Sequence, residues 1–178
     1  WLLDQLTLAK VENAKHVFVV TTVSFVSALE KIRDSWPGFE RERQHIIDHI
    51  AKLDLSNVAI MSGDLHVFYA SGVHLDPGNK KTPIIAREFG TGALSSHTGR
   101  VEEYNDVVEA LGNGSNGATI VDVYPTGDKI VTWTMSNARK KGDIPRTGAR
   151  FYVPNQDQGE PVSISLQSVD THLVRNPG

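Results

Sequence analysis

The residues of this sequence whose types and spacing could do chemistry lie in Val58-Ala59-Ile60-Met61-Ser62-Gly63-Asp64-Leu65-His66. An apolar run of strand length ends at a glycine, and an aspartate and a histidine follow at i and i+2. Two side chains one residue apart on a loop can point to one side and offer a carboxylate oxygen and an imidazole nitrogen. That donor pair suits a divalent or trivalent metal ion of intermediate hardness. Gly63 is expected to make the sharp turn, because it carries no Cβ. By itself Asp-x-His is a common pair. The plainer reading is an aspartate capping a turn beside a histidine at a strand edge.

Other residues invite chemical readings that their surroundings weaken. His45 and His49 are spaced i, i+4, and His45-Ile46-Ile47-Asp48-His49 resembles H-E-x-x-H. Ile46 stands where the general-base glutamate belongs, so a polar helix face is the better reading. Glu88-Phe89-Gly90-Thr91-Gly92 is glycine-rich but lacks the Gly-Lys-Ser/Thr of a phosphate-binding P-loop. It fits better as the rim of a cleft. His97 is a candidate contact for substrate phosphate or a solvated loop histidine, and His74 reads as surface. Asn113-Gly114-Ser115 is a glycosylation sequon that matters only in a secretory eukaryote.

Composition removes whole classes of function. There is no cysteine, which excludes disulfides, Cys-ligated zinc and a thiol nucleophile. The net charge is -3, with Lys and Arg scattered among acids, so no basic face for nucleic acid is evident. Arg139-Lys140-Lys141 is a short run beside Gly142 and reads as a solvated turn. No apolar run approaches the ~20 residues that a membrane-spanning helix needs. The chain opens at Trp1 without an initiator Met and reads as a fragment, a processed product or an incompletely assigned chain.

Elements must position the Asp64–His66 loop, and the pattern predicts them. Residues 1–13 have the spacing of the end of an amphipathic helix. His16–Thr22 is a β-branched and aromatic run, the mark of a strand buried on both faces. Trp36-Pro37-Gly38 is a turn, and 39–53 is a helix with Ile46, Ile47, Ile50 and Leu53 on one face. Asn57–Met61 and Thr82–Phe89 are strands, and 100–111 looks helical before a glycine-rich connector at 112–117. Ala118–Tyr124 and Lys129–Met135 form a hairpin about 125–128. Val162–Leu166 is a last strand. A strand, a helix and a strand followed by antiparallel hairpins give an α/β (α+β) sandwich.

The motifs Trp1-Leu2-Leu3-Asp4-Gln5-Leu6, Asp34-Ser35-Trp36-Pro37-Gly38-Phe39-Glu40-Arg41-Glu42-Arg43, Ser62-Gly63-Asp64-Leu65-His66 and Glu88-Phe89-Gly90-Thr91-Gly92 stand in a fixed order. In order and spacing they resemble the C-terminal half of the PhoD-type alkaline phosphatases, over residues 1–136. The resemblance implies the calcineurin-like metallophosphatase fold, a sandwich of two mixed β-sheets flanked by helices, of which this chain is the C-terminal portion. It implies a multinuclear metal site with Asp64 and His66 as ligands, Asp64 standing where most metallophosphatases have the first His of G-H-x-H. Iron and calcium are the metals implied, other divalent ions being possible. The aspartate suits the harder, oxygen-preferring calcium. The implied activity is hydrolysis of phosphate mono- and diesters, at an extracytoplasmic location, periplasmic or secreted.

The remaining ligand motifs of that family, D-x-x-x-x-C, G-D-x-x-D and an Asn loop, would lie before Trp1. The N-terminal half of the same domain, upstream or in a companion chain, is therefore the expected partner. Residues 137–178 read as a C-terminal extension with a closing strand. The competing reading is a non-catalytic α/β sandwich, a binding or structural module in which Asp64 and His66 are structural.

Overall fold

The computed structural model describes residues 1–26, 34–93, 108–112, 116–136, 146–153, 163–165 and 173–175. Helix α1 (Leu2–Val11) leads to strand β1 (Val17–Val20), a 3-10 turn (Trp36–Phe39) and helix α2 (Glu40–Leu53). Strands β2 (Val58–Ser62), β3 (Phe68–His74), β4 (Ile84–Gly90) and β5 (Val108–Gly112) follow. Then come β6 (Asn116–Val123), β7 (Lys129–Ser136), β8 (Arg146–Val153), β9 (Ser163–Ser165) and β10 (Leu173–Arg175).

One sheet is mixed, in the order β1-β2-β4-β3-β5-β10, and the second runs β6-β7-β8-β9. Within the first, β1, β2 and β4 are parallel, and β3, β5 and β10 pair antiparallel. The second is antiparallel throughout its described strands. This is the expected α/β sandwich. Strands β8 and β9 extend the second sheet and β10 closes the first, so the segment after residue 136 contributes to both.

Helix α2 forms because Ile46, Ile47 and Ile50 recur on one face and are buried, giving an apolar stripe to lay on the sheet. Glu40 and Glu42 in its first turn and Lys52 in its last complement the helix dipole. Asp54 ends it in the left-handed region, φ 50°, a conformation that aspartate tolerates better than most residues. Leu6 of α1 joins the stripe, and both pack on Val58, Ile60, Val73 and Ala86 of the first sheet. Thr7 Oγ1 lies 2.9 Å from His49 Nε2, and Lys10 Nζ donates to Asp54 O at 2.9 Å. His49 thus ties the two helices together, while His45 is exposed.

The other face of the first sheet meets the second sheet through Phe68, Ala70, Phe89 and Ala110 against Val131 and Trp133. The Phe68 and Trp133 rings are tilted with centroids 5.7 Å apart, an arrangement worth about 0.5–1.5 kcal/mol beyond area burial. Glycines make room for the large rings. A Cβ on Gly90 would stand 1.9 Å from Tyr69 Cε1, and one on Gly92 would stand 2.5 Å from Phe68 Cε2.

Several expectations change. Residues 108–112 form β5, not the end of a helix, because Val108, Ala110 and Leu111 are buried in a strand paired with β3; residues 100–107 lie outside the described residues. Strand β3, which is not among the expected strands, is buried along its whole length. His74, expected at the surface, is 5% exposed, its Nδ1 2.7 Å from Thr82 O, because the 75–83 loop folds over it. Strand β1 is not covered on both faces: Phe18 is 39% and Val20 80% exposed, and β1 is the edge of its sheet among the described strands.

At the opposite end of β2 from Asp64, Lys129 joins the layers. It is 1% exposed, and Nζ donates to Asn57 O at 3.0 Å while standing 5.9 Å from the centroid of the Phe18 ring. Burial lowers its pKa from 10.5 to about 8, against the opposing pull of Asp128. Because the folded value is depressed, the folded state binds fewer protons than the unfolded chain between those two values. The cost of burying the charge is therefore full below about pH 8 and fades as pH rises towards 10.5.

Two outcomes follow for the protein that carries this chain. Lys129→Met should abolish a rise in stability, up to about 3 kcal/mol, that the unsubstituted protein shows across that alkaline window. Denaturant unfolding of both at neutral and alkaline pH measures it, and an equal difference at the two pH values would count against the assignment. Gly90→Ala should destabilise by about 1–3 kcal/mol or more, since the ring of Tyr69 has nowhere to go. An unchanged melting temperature would show that the ring is not fixed there.

Candidate metal centre

Because β1, β2 and β4 run parallel, their C-terminal ends open on one edge, the place where open α/β sheets build sites. Three segments leave that edge: the one after Val20, the one after Ser62 and the one after Gly90. The sheet order β2-β4-β3 means that the chain leaving β2 must step across the end of β4 before returning as β3. The residues that make this step are Gly63-Asp64-Leu65-His66-Val67.

The step is taken in an unusual backbone. Asp64 has φ +71° and His66 φ +56°, both in the left-handed region. Leu65 N–H donates to Gly63 O at 2.9 Å, closing a three-residue turn about Asp64. With positive φ at its centre, this is the rare and strained form of the γ-turn. Such conformations cost about 1–3 kcal/mol each and persist only where the surroundings over-determine them. Gly63, expected to make the turn, is not among the positive-φ glycines, and a Cβ there would meet Thr22 O only at ordinary contact, 3.4 Å. The residues with the donor atoms carry the strain themselves. Asp64 is exposed and His66 half-buried, so neither is enclosed in the apolar core.

The loop is tethered on both sides. Thr21 N–H donates to Met61 O at 2.9 Å and Thr91 N–H to Ser62 O at 2.8 Å. Trp36, from the motif before α2, donates through Nε1 to Thr21 Oγ1 at 3.0 Å and packs on Phe25 with centroids 5.5 Å apart. Thr91 Oγ1 also lies 2.9 Å from Thr119 Oγ1 of β6, which brings the second sheet up to this edge.

The acid of the Glu88–Gly92 segment, which was expected at the rim of a cleft and was given no role of its own, sits buried beneath the loop. Glu88 of β4 is 0% exposed. Its Oε1 accepts from Phe25 N–H at 2.8 Å, from Ser62 Oγ at 2.5 Å and from the Tyr69 hydroxyl at 2.5 Å, and its Oε2 accepts from Val26 N–H at 2.6 Å. Burial pushes the Glu88 carboxyl above its usual range, and these donors work against that rise. Burial and the neighbouring Glu88 push Tyr69 well above its ordinary value, so the phenol keeps its proton and can donate it. Arg43 Nη1 donates to Phe25 O at 3.4 Å, and its charge is within electrostatic reach of Glu88. The available signal was an acid beside Arg87 in a strand whose other residues are apolar, Ile84-Ile85-Ala86-Arg87-Glu88-Phe89; such an acid must find partners when buried.

Asp64 and His66 can therefore offer an oxygen and a nitrogen to a cation, but among the described residues no group of three or more His, Cys, Asp or Glu is placed to hold one. His45, His49 and His74 belong to α2 and to the far end of β3. His97 lies outside the described residues.

Comparison with known proteins gives a consistent result. The profile of the PhoD-like phosphatase family matches residues 2–138. Alkaline phosphatase D of Bacillus subtilis (strain 168) is 36% identical over 67 residues, a stretch that is 37% of this chain and 12% of that protein. A solved structure of PhoD superimposes with a TM-score of 0.80 at 20% identity, over 96% of this chain and 35% of that one. The chain thus spans about a third of the PhoD structure whose fold it shares. Matched by that profile over most of its length, this chain belongs to the PhoD-like phosphatase family.

Proposed function

We propose that this chain supplies one ligand-bearing loop, with Asp64 and His66 as the ligands, to a metal centre that hydrolyses phosphate mono- and diesters. The observation that carries the reading is the strained loop itself. In a chain of this family, two donor residues hold left-handed backbone at the carboxyl edge of parallel strands. Neither strain nor exposure is needed for a carboxylate that merely caps a turn. The metals proposed are iron and calcium, with the Asp64 carboxylate suited to the harder ion and the His66 imidazole to the transition metal. Bound there, such ions supply polarisation of phosphoryl oxygens and a hydroxide nucleophile near neutral pH. The chain's own contribution is to fix one carboxylate and one imidazole on a tethered loop. His97 is proposed, on sequence alone, as a contact for substrate phosphate.

The centre is completed by the N-terminal half of the same domain. Two donors do not make a dinuclear site, and β1, the edge of its sheet among the described strands with Val20 80% exposed, is where further sheet would add. An apolar edge of this kind invites pairing with another chain segment. Residues 1–136 are then the C-terminal part of the phosphatase domain, and 137–178 an extension whose strands add to both sheets. We place the reaction outside the cytoplasm by family resemblance; among the described residues no helix is long and apolar enough to cross a membrane. The family membership favours this reading over a non-catalytic module.

In the complete enzyme, His66→Ala should lose bound transition metal and phosphatase turnover together, by more than the roughly 10–100-fold that changes around a ligand cause. Asp64→Asn should mainly weaken the harder metal. Elemental analysis together with p-nitrophenyl phosphate turnover measures both. Full metal content with unchanged turnover in the His66 variant would refute the ligand assignment.

The 178 residues expressed alone and supplied with iron and calcium should not hydrolyse mono- or diesters at an enzymatic rate. Metal-dependent turnover approaching ~1 s⁻¹ would mean that the site is complete within this chain.

A further inference from the structure

Glu88 has no part in the proposed ligand set, yet its surroundings are built around the loop that carries that set. Ser62 is the last residue of β2, Tyr69 the second of β3, and the segment between them is the Asp64–His66 loop. Both hydroxyls donate to the same oxygen, Glu88 Oε1, and lie 2.7 Å from one another. One carboxylate oxygen thus pinches together the two ends of the loop. The backbone N–H groups of Phe25 and Val26 fix the same carboxylate to the segment after β1, and the Tyr69 hydroxyl also reaches Ser24 Oγ at 2.9 Å.

A buried carboxylate is a poor device for stability alone, because taking its charge out of water is costly and an apolar residue of similar volume often serves as well. A fully bonded polar cluster does something that an apolar contact cannot: it fixes directions and distances. The loop needs that, since two of its residues hold left-handed backbone that relaxes unless its ends are held.

We propose that Glu88 is a positioning residue for the Asp64–His66 loop. Its carboxylate clamps Ser62 and Tyr69 to the segment after β1, so that the loop keeps its strained, donor-presenting shape. The inference rests on the reading of Asp64 and His66 as metal ligands. Ser62 and Tyr69 are the clamped ends, and Gly90 is the residue whose lack of a side chain lets the Tyr69 ring lie across β4 to reach the carboxylate.

The test uses the complete enzyme that contains this chain, stripped with chelator and titrated with calcium and with ferrous iron, with circular dichroism and the unfolding midpoint followed in parallel. The variants are Glu88→Gln, Tyr69→Phe, the double substitution Ser62→Ala with Tyr69→Phe, and His66→Ala. Tyr69→Phe keeps the ring over Gly90 and removes only the hydroxyl, so it decides the matter if Glu88→Gln fails to fold. The expected result is a loss of metal affinity of about 10–100-fold in the Tyr69 and double variants, measured well below their unfolding midpoints. Folded Tyr69→Phe and double variants that bind both metals as tightly as the parent, while His66→Ala does not, would overturn the positioning role and leave the ligand reading intact. Unchanged metal affinity in His66→Ala would instead overturn the ligand reading, and this inference with it.

Discussion

A carboxylate removed from water must be met by donors or lose its charge, and in this chain that requirement falls on Glu88. Its donors come from the segment after β1, from the end of β2 and from the start of β3, while Glu88 itself belongs to β4. None of these segments can shift without stranding a buried polar atom, which would cost about 1–3 kcal/mol. The parallel strands and the antiparallel strand that follows them are thereby locked at one edge. Tyr69 is drawn into the interior, and that in turn demands glycine at position 90.

The same edge is where the two layers of the sandwich meet. Phe68 and Phe89 point away from the Glu88 face and pack on Trp133 and Val131 of the second sheet, because successive residues of a strand alternate in direction. Neighbours in sequence therefore serve different layers: Tyr69 bonds Glu88 while Phe68 packs between the sheets. Thr91 and Thr119 bridge the sheets beside the loop, and Lys129 bridges them at the other end of β2. Arg87, which pairs with Glu109, links β4 to β5. Polar clamps stand at both ends of an apolar centre, and they set how the sheets are positioned against each other.

The proposed ligand loop draws on this frame. Left-handed backbone at two residues that are not glycine is stable only as part of something stiffer, and the tethers at Met61, Ser62 and Tyr69 provide it. The β1 edge fits the same picture: among the described strands it is the outermost of its sheet, and Phe18 and Val20 on it remain exposed although its composition is that of a buried strand.

The sequence by itself determined what depends on near neighbours. The stripe of Ile46, Ile47 and Ile50 specified α2, the turn at 125–128 specified the β6–β7 hairpin, and strand, glycine, Asp64 and His66 marked the loop. Each follows from periodicity or turn chemistry within a few residues. Tertiary structure decided what depends on distant partners. The crossing of β3 beyond β4 makes a loop of 63–67, and the left-handed backbone falls on Asp64 and His66 rather than on Gly63. His74 is buried by the loop that returns over it, and 108–112 becomes a strand because β3 offers it an edge. Above all, Glu88 is a hub only when residues 24–26, 62 and 69 arrive around it, and nothing in the local spacing of an Arg-Glu pair within an apolar run says which donors, from how far along the chain, will meet the acid.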